Sequence, residues 1–190
     1  NKETVEWLKK DPPSEINITL YGASRETYMK LCGFANGFDL ALQAIQLLTE
    51  AGIKVNINVS LTKLNVHDLE KIVAIGKKYD VTMKIASYMF PPVRKDNSEI
   101  NTEARFTAEE CGDIRLRTLK AQFSEDEYMN ILRTLQEGDF SVIGSEECER
   151  PEGDSTTCMA GRSSFWITYD GRMTPCGMIN SPIAFPFRDG

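Results

Sequence analysis

Three stretches of this chain alternate apolar and polar residues with a period of two, and helical stretches stand between them. The first is INITLYG (Ile16–Gly22), the second IKVNINVSLT (Ile53–Thr62) and the third VTMKIASYM (Val81–Met89). Between the first two lies GFDLALQAIQLLTEAG, with Phe38, Ala41, Leu42, Ile45 and Leu48 on one helical face and Gly52 as its stop. Between the second and third lies VHDLEKIVAIGKKYD, whose Val66, Leu69, Ile72, Val73 and Gly76 form a packing face and which Asn65 can cap. Strand, helix, strand, helix, strand with short connections predicts parallel pairing and right-handed crossovers in that spatial order, an α/β fold. A shorter helix is expected from Ser24 to Leu31, and another from Glu3 to Lys10, closed by Asp11-Pro12-Pro13.

The alternation carries more than the fold class. Strands of a parallel sheet covered on both faces read as continuous apolar runs. Here Asn17, Thr19 and Tyr21, then Asn56, Asn58, Ser60 and Thr62, then Thr82, Lys84 and Ala86 occupy the second face. The apolar sides must meet the helices. An unpartnered buried polar group costs about 1–3 kcal/mol, so the other face must meet water or a polar ligand. A curved sheet with helices outside and a polar concave face is a binding site; a sheet half open because a covering domain is missing has the same pattern.

After residue 90 the texture changes. FPPVRKDNSEINTEAR is a loop rich in proline and charge, and Thr107-Ala-Glu-Glu110 and Ser124-Glu-Asp-Glu127 are capping boxes that each open a helix, about 108–121 and 125–137. The net charge of −6 argues against a nucleic-acid binder, which needs clustered Lys and Arg. No apolar run approaches the ~20 residues of a membrane span and no signal peptide opens the chain, so a cytoplasmic setting is expected. The chain begins with Asn-Lys rather than Met and reads as a piece of something longer.

Of the five cysteines, Cys148, Cys158 and Cys176 fall in the last 45 residues, whereas Cys32 and Cys111 read as buried, inert thiols. In a reducing compartment a cysteine cluster points to metal or redox chemistry. Within CMAGRSSFWITYDGRMTPC, Phe165–Tyr169 can form a strand, Asp170-Gly171 a tight turn and Met173-Thr174 the return. That hairpin can bring Cys158 and Cys176 to one end, where soft thiolates bind an iron–sulfur cluster or zinc, with Cys148 as a third ligand. The fourth must come from Cys111 or from other chain.

These residues resemble the radical SAM enzymes with a C-terminal SPASM domain. Their first auxiliary-cluster motif is Cys, nine to fifteen residues, Gly, four residues, Cys, and Cys158, Gly171 and Cys176 match it. The Ile16–Gly33 segment resembles the fourth barrel strand and its loop, with Thr19-Leu20-Tyr21-Gly22 where many members have Ser-Leu-Asp-Gly; the second and third stretches resemble the fifth and sixth strands. The Cys-x-x-x-Cys-x-x-Cys motif of the catalytic cluster and the Gly-Gly-Glu segment are missing from this sequence. The resemblance therefore implies the second half of a (β/α) TIM-type barrel over 1–105, a helical connection over 106–145 and the start of the SPASM domain over 146–190. Such a piece alone is expected to be inactive.

The resemblance implies S-adenosyl-L-methionine and [4Fe–4S] clusters as cofactors, a flavodoxin- or ferredoxin-type reductant, and a peptide or protein substrate. It implies cofactor contacts at Thr19, Asn58, Ser60 and Met89, a substrate contact at Lys54, and cluster ligands at Cys148, Cys158 and Cys176. Tyr21 stands where relatives often carry an acid, and His67 in a helix's first turn reads as solvated. The competing expectation is a non-catalytic module in which the three cysteines hold a structural zinc.

Overall fold

The structure, a computed structural model, describes residues 2–88, 102–138, 165–168, 171–176 and 185–186. They fall into two compact units, residues 1–89 with 101–130, and residues 90–100 with 131–190.

The first unit is mixed α/β around a parallel three-stranded sheet. Strands β1 (Ile16–Thr19), β2 (Val55–Ser60) and β3 (Thr82–Ala86) are ordered β1-β2-β3, as the βαβ pattern predicts. Helix α1 (Lys2–Leu8) precedes the sheet; α2 (Arg25–Cys32) and α3 (Gly37–Glu50) connect β1 to β2. A 3-10 turn (Val66–Asp68) and α4 (Leu69–Tyr79) connect β2 to β3. Ile16, Ile18, Val55, Ile57, Val59, Met83 and Ile85 share one core with Ile45 and Leu48 of α3 and with Leu69, Ile72 and Val73 of α4. The helices therefore cover the apolar side of the alternation. Gly76 of α4 lies directly on Met83 of β3, and a Cβ there would run into the Met83 side chain. This glycine is the close-contact point of helix and strand.

Both capping boxes form. Thr107 opens α5 (Ala108–Gln122): its hydroxyl accepts from the Glu110 N–H at 3.2 Å, and the Glu110 carboxylate accepts from the Thr107 N–H at 2.7 Å. Ser124 and Glu127 do the same for α6 (Glu125–Gln136). Helix α5 packs on α4 through a two-pronged pair, Arg117 Nε and Nη2 each 2.6 Å from a Glu70 oxygen.

Two readings are corrected. Asn65 does not cap the helix that follows it; its side chain bonds elsewhere, to strand ends described below. Cys32 is exposed and Cys111 half-buried, because Cys32 closes α2 beside the Gly33 cap and Cys111 lies in the first turn of α5.

The described part of the second unit holds an antiparallel hairpin, β4 (Trp166–Ile167) with β5 (Arg172–Thr174), and a third strand, β6 (Phe185–Pro186), on the far side of β5. Gly171 turns the chain at φ 76°, a left-handed value that favours glycine, and its N–H donates to the Thr168 carbonyl. Among the described residues no single helix is long and apolar enough to cross a membrane.

Candidate functional site

The parallel register lines the polar residues into rows across the sheet. Asn17, Asn56 and Thr82 form one row; Thr19, Asn58 and Lys84 form the next; Ser60 and Ala86 lie beyond. All point away from the helix-covered core, since successive side chains of a strand face opposite ways. Asn17, Thr19, Ser60, Thr82 and Lys84 are exposed and Asn58 is half-buried, whereas Asn56, near the start of the central strand, is 2% exposed.

The two ends of this face differ in how their polar groups are satisfied. At the starts of β1 and β2 the groups engage one another; Thr82, at the start of β3, is exposed and takes no part. Asn56 Nδ2 donates to Asn17 Oδ1 at 3.4 Å, Asn17 Nδ2 donates to Glu15 at 3.4 Å, and Lys54 Nζ lies 3.5 Å from Glu15. Hydrogen bonds from Asn56 and Asn17, with help from the Lys54 charge, hold the Glu15 carboxyl below its usual range. Toward the strand ends the side chains of Thr19, Asn58, Ser60 and Lys84 have no hydrogen-bond or ion-pair partner among the described residues. In (β/α) folds of this kind ligands sit at the C-terminal ends of the strands, which is where this unengaged row lies.

The sequence-predicted residues separate accordingly. Thr19 and Asn58 are register partners, and Ser60 follows on the same face. Lys54 is not with them: it immediately precedes β2, at the opposite end of the strand, in its ion pair with Glu15. Met89, Cys148 and Cys158 lie outside the described residues. Cys176 is half-buried two residues past β5, and the Thr174 hydroxyl donates to its carbonyl at 3.1 Å. Among the described residues no group of three metal-ligating side chains comes together. Lys84, which the resemblance does not single out, joins this row: it stands in the polar phase of the third stretch and lies opposite Asn58 once the register is set.

The loops that follow β1 and β2 are tied together by two buried side chains. Asn65, 1% exposed, accepts from the Thr62 N–H at 2.7 Å and donates to the carbonyls of Tyr21 (2.9 Å) and Ser60 (3.1 Å). Asp68, also 1% exposed, accepts from the Ala23 N–H at 2.9 Å and from the Thr27 hydroxyl at 2.6 Å. His67 is exposed, with Nε2 3.8 Å from Asp68. Tyr21 stands at the end of β1, nearly half exposed, its ring edge-on to that of buried Tyr28.

A scan against known protein families matches none of them. Among curated proteins the chain is similar to an AdoMet-dependent heme synthase of Methanosarcina barkeri, 22% identical over 185 residues and covering 93% of this chain. The chain spans about half (52%) of that relative's length. It is thus a distant relative of an S-adenosylmethionine-dependent enzyme.

Proposed function

We propose that this chain is part of a radical SAM enzyme and that the row Thr19–Asn58–Lys84, with Ser60, binds S-adenosylmethionine or the substrate beside it. The observation that carries this reading is the contrast within one face. Polar groups at the starts of β1 and β2 satisfy each other, while Thr19, Asn58, Ser60 and Lys84 toward the strand ends are left for a ligand. The donor set fits a nucleoside with a carboxylate: hydroxyls for ribose, an amide for either polarity, and an ammonium for negative charge. The AdoMet dependence in the relative's name supports the same cofactor.

When bound next to a reduced iron–sulfur cluster, S-adenosylmethionine supplies a 5′-deoxyadenosyl radical for hydrogen abstraction. This chain's part is to bind and orient. Thr19 and Ser60 offer hydroxyls, Asn58 a donor and an acceptor, and Lys84 a cation. Cys148, Cys158 and Cys176 are proposed to ligate an auxiliary [4Fe–4S] cluster in a SPASM-type domain, and thiolates are the right donors for iron. The catalytic cluster would be held by chain other than this, and a flavodoxin or ferredoxin would deliver the electron.

For the substrate, the resemblance to SPASM enzymes favours a peptide or protein. The heme synthase relative favours a second reading, a tetrapyrrole carrying carboxylates. The test is anaerobic reconstitution of the full-length protein with iron and sulfide, then assay for 5′-deoxyadenosine. Turnover dependent on dithionite and on S-adenosylmethionine is expected. A protein that takes up iron yet neither binds nor cleaves S-adenosylmethionine overturns the reading. Stimulation by carboxylate-bearing tetrapyrroles against stimulation by peptides separates the two substrate classes.

A further inference from the structure

The parallel ladder between β1 and β2 stops one rung short of the loops. Ile16 N–H donates to the Lys54 carbonyl and Leu20 N–H to the Asn58 carbonyl. The same spacing continued by two residues would bring Gly22 N–H to the Ser60 carbonyl. That bond is not made; the Ser60 carbonyl instead receives Asn65 Nδ2, which also holds the Tyr21 carbonyl. A side chain thus takes the place of the missing rung. The Tyr21 N–H is met by the Tyr28 hydroxyl at 3.3 Å, and the Ala23 N–H by Asp68. The backbone from Tyr21 to Ala23 is therefore held by side chains from α2 and from the turn after β2, and not by a neighbouring strand.

We propose that Asn65 and Asp68 are positioning residues that fix the separation of the β1 and β2 ends, and with it the placement of Thr19 and Ser60. This rests on the reading of the row as an S-adenosylmethionine site. The geometry gives the reason for assigning more than a packing role. Asn65 bonds the carbonyl of Ser60 itself and one two residues beyond Thr19, so its loss frees the two strand ends that carry the hydroxyls. Both side chains are buried and bond backbone groups of the strand ends and loops, so they act through the backbone.

The experiment uses the reconstituted full-length protein and three variants. Asn65→Ala removes the clasp; Thr27→Val keeps the shape of Thr27 and removes only the hydroxyl that Asp68 accepts, for use where Asn65→Ala does not fold. Leu48→Ala, in the last turn of α3 at the strand-start end, is the control for lost stability alone. Three quantities are read: dissociation constant for S-adenosylmethionine, amide hydrogen exchange of residues 20–24, and 5′-deoxyadenosine formed per product. Loss of these bonds is expected to weaken cofactor binding about tenfold in Asn65→Ala and about threefold in Thr27→Val. Exchange in residues 20–24 should speed up in both, and 5′-deoxyadenosine per product should rise. Leu48→Ala should stay within about twofold of the parent affinity despite a lower melting temperature. Faster exchange with unchanged affinity and coupling in a folded clasp variant would make the clasp purely structural and overturn the proposal. A parent protein that does not bind S-adenosylmethionine overturns the site reading and this inference with it, and the parent measurement alone reveals that case.

Discussion

Gly22 offers a quantitative test of the strand-end clasp, because its need for a missing side chain is steric and not conformational. Its φ is not in the left-handed region, so an alanine meets no backbone penalty. A Cβ at this position would collide with Thr27 Cγ2, lie 2.7 Å from Thr27 Cβ and come within 3.1 Å of Asp68 Oδ2. Thr27 cannot swing aside cheaply: it is 2% exposed and its hydroxyl is bonded to Asp68 and to Ser24. Overpacking a well-filled site costs about 1–3 kcal/mol. Restricting the unfolded chain returns ~0.4–1 kcal/mol, which at the midpoints of the two ranges leaves a net loss of about 1.3 kcal/mol for Gly22→Ala. Thr27→Ser removes the closest contact and keeps the hydroxyl. Alone it should destabilise by about 1 kcal/mol, the value of a buried methyl group. In the Gly22→Ala background the same change should be neutral or stabilising, a coupling of about 1 kcal/mol or more. Urea denaturation of the four proteins measures the cycle, with the slope of the transition checked for constancy. Additive losses, or a Gly22→Ala variant as stable as the parent, would refute the argument that Thr27 and Asp68 are locked against this glycine.

Thr19→Val keeps the side-chain shape and removes one hydroxyl from the unengaged row. It should weaken S-adenosylmethionine binding by roughly 0.5–1.5 kcal/mol while leaving the melting temperature unchanged, as read by equilibrium titration and thermal unfolding. Cys176→Ala should lower the iron content of the anaerobically reconstituted full-length protein and depress product formation more than uncoupled 5′-deoxyadenosine release; undiminished iron would argue against a ligand role. The Glu70–Arg117 pair supplies a pH test. The hydrogen bond from Arg117 holds the Glu70 carboxyl below the unperturbed value of 4.5, so its contribution is present above that pH and is lost as pH falls through the lowered folded-state pKa. Both side chains are close to half exposed, so the contribution is about 0.3–1 kcal/mol, and Glu70→Gln should flatten acid unfolding by no more than that.

Much of the first unit was legible because its determinants are local. Period-two runs, helical faces and two capping boxes each declare themselves within a few residues, and the order β1-β2-β3 follows from short connections and handedness. The polar face was legible too, since the alternation that buries Ile18 must turn Thr19 and Asn58 the other way. The clasp was not. Asn65 stands where a helix cap would stand, and only its three-dimensional partners, Tyr21 forty-four positions earlier and Ser60, reveal a different task. Asp68 reads locally as an ordinary acidic first-turn residue, and its burial depends on Ala23 and Thr27 more than forty positions away. Lys54 differs from them: it shares the polar phase of β2 but stands at the strand start, where it pairs with Glu15. Phase along a strand tells which face a residue takes and nothing about which end carries the chemistry.

The division of each strand into a helix-packed side and an open side also sets how this architecture can change over evolutionary time. Core residues such as Ile57 and Val59 carry the burial that keeps the sheet folded, while Ser60 beside them is exposed and Asn58 only half-buried. Substitutions at the exposed positions of the open side, Thr19, Ser60 and Lys84, are therefore close to free in stability and can be sampled singly, whereas buried Asn56 is not among them. The scaffold can keep its frame while the side chains offered to a ligand turn over. Distantly related proteins can then share one frame and present different surfaces to what they bind. The exception is the strand-end tie. Asn65 and Asp68 serve frame and surface at once, so a drift there taxes both, and this is where the chain has least room to explore.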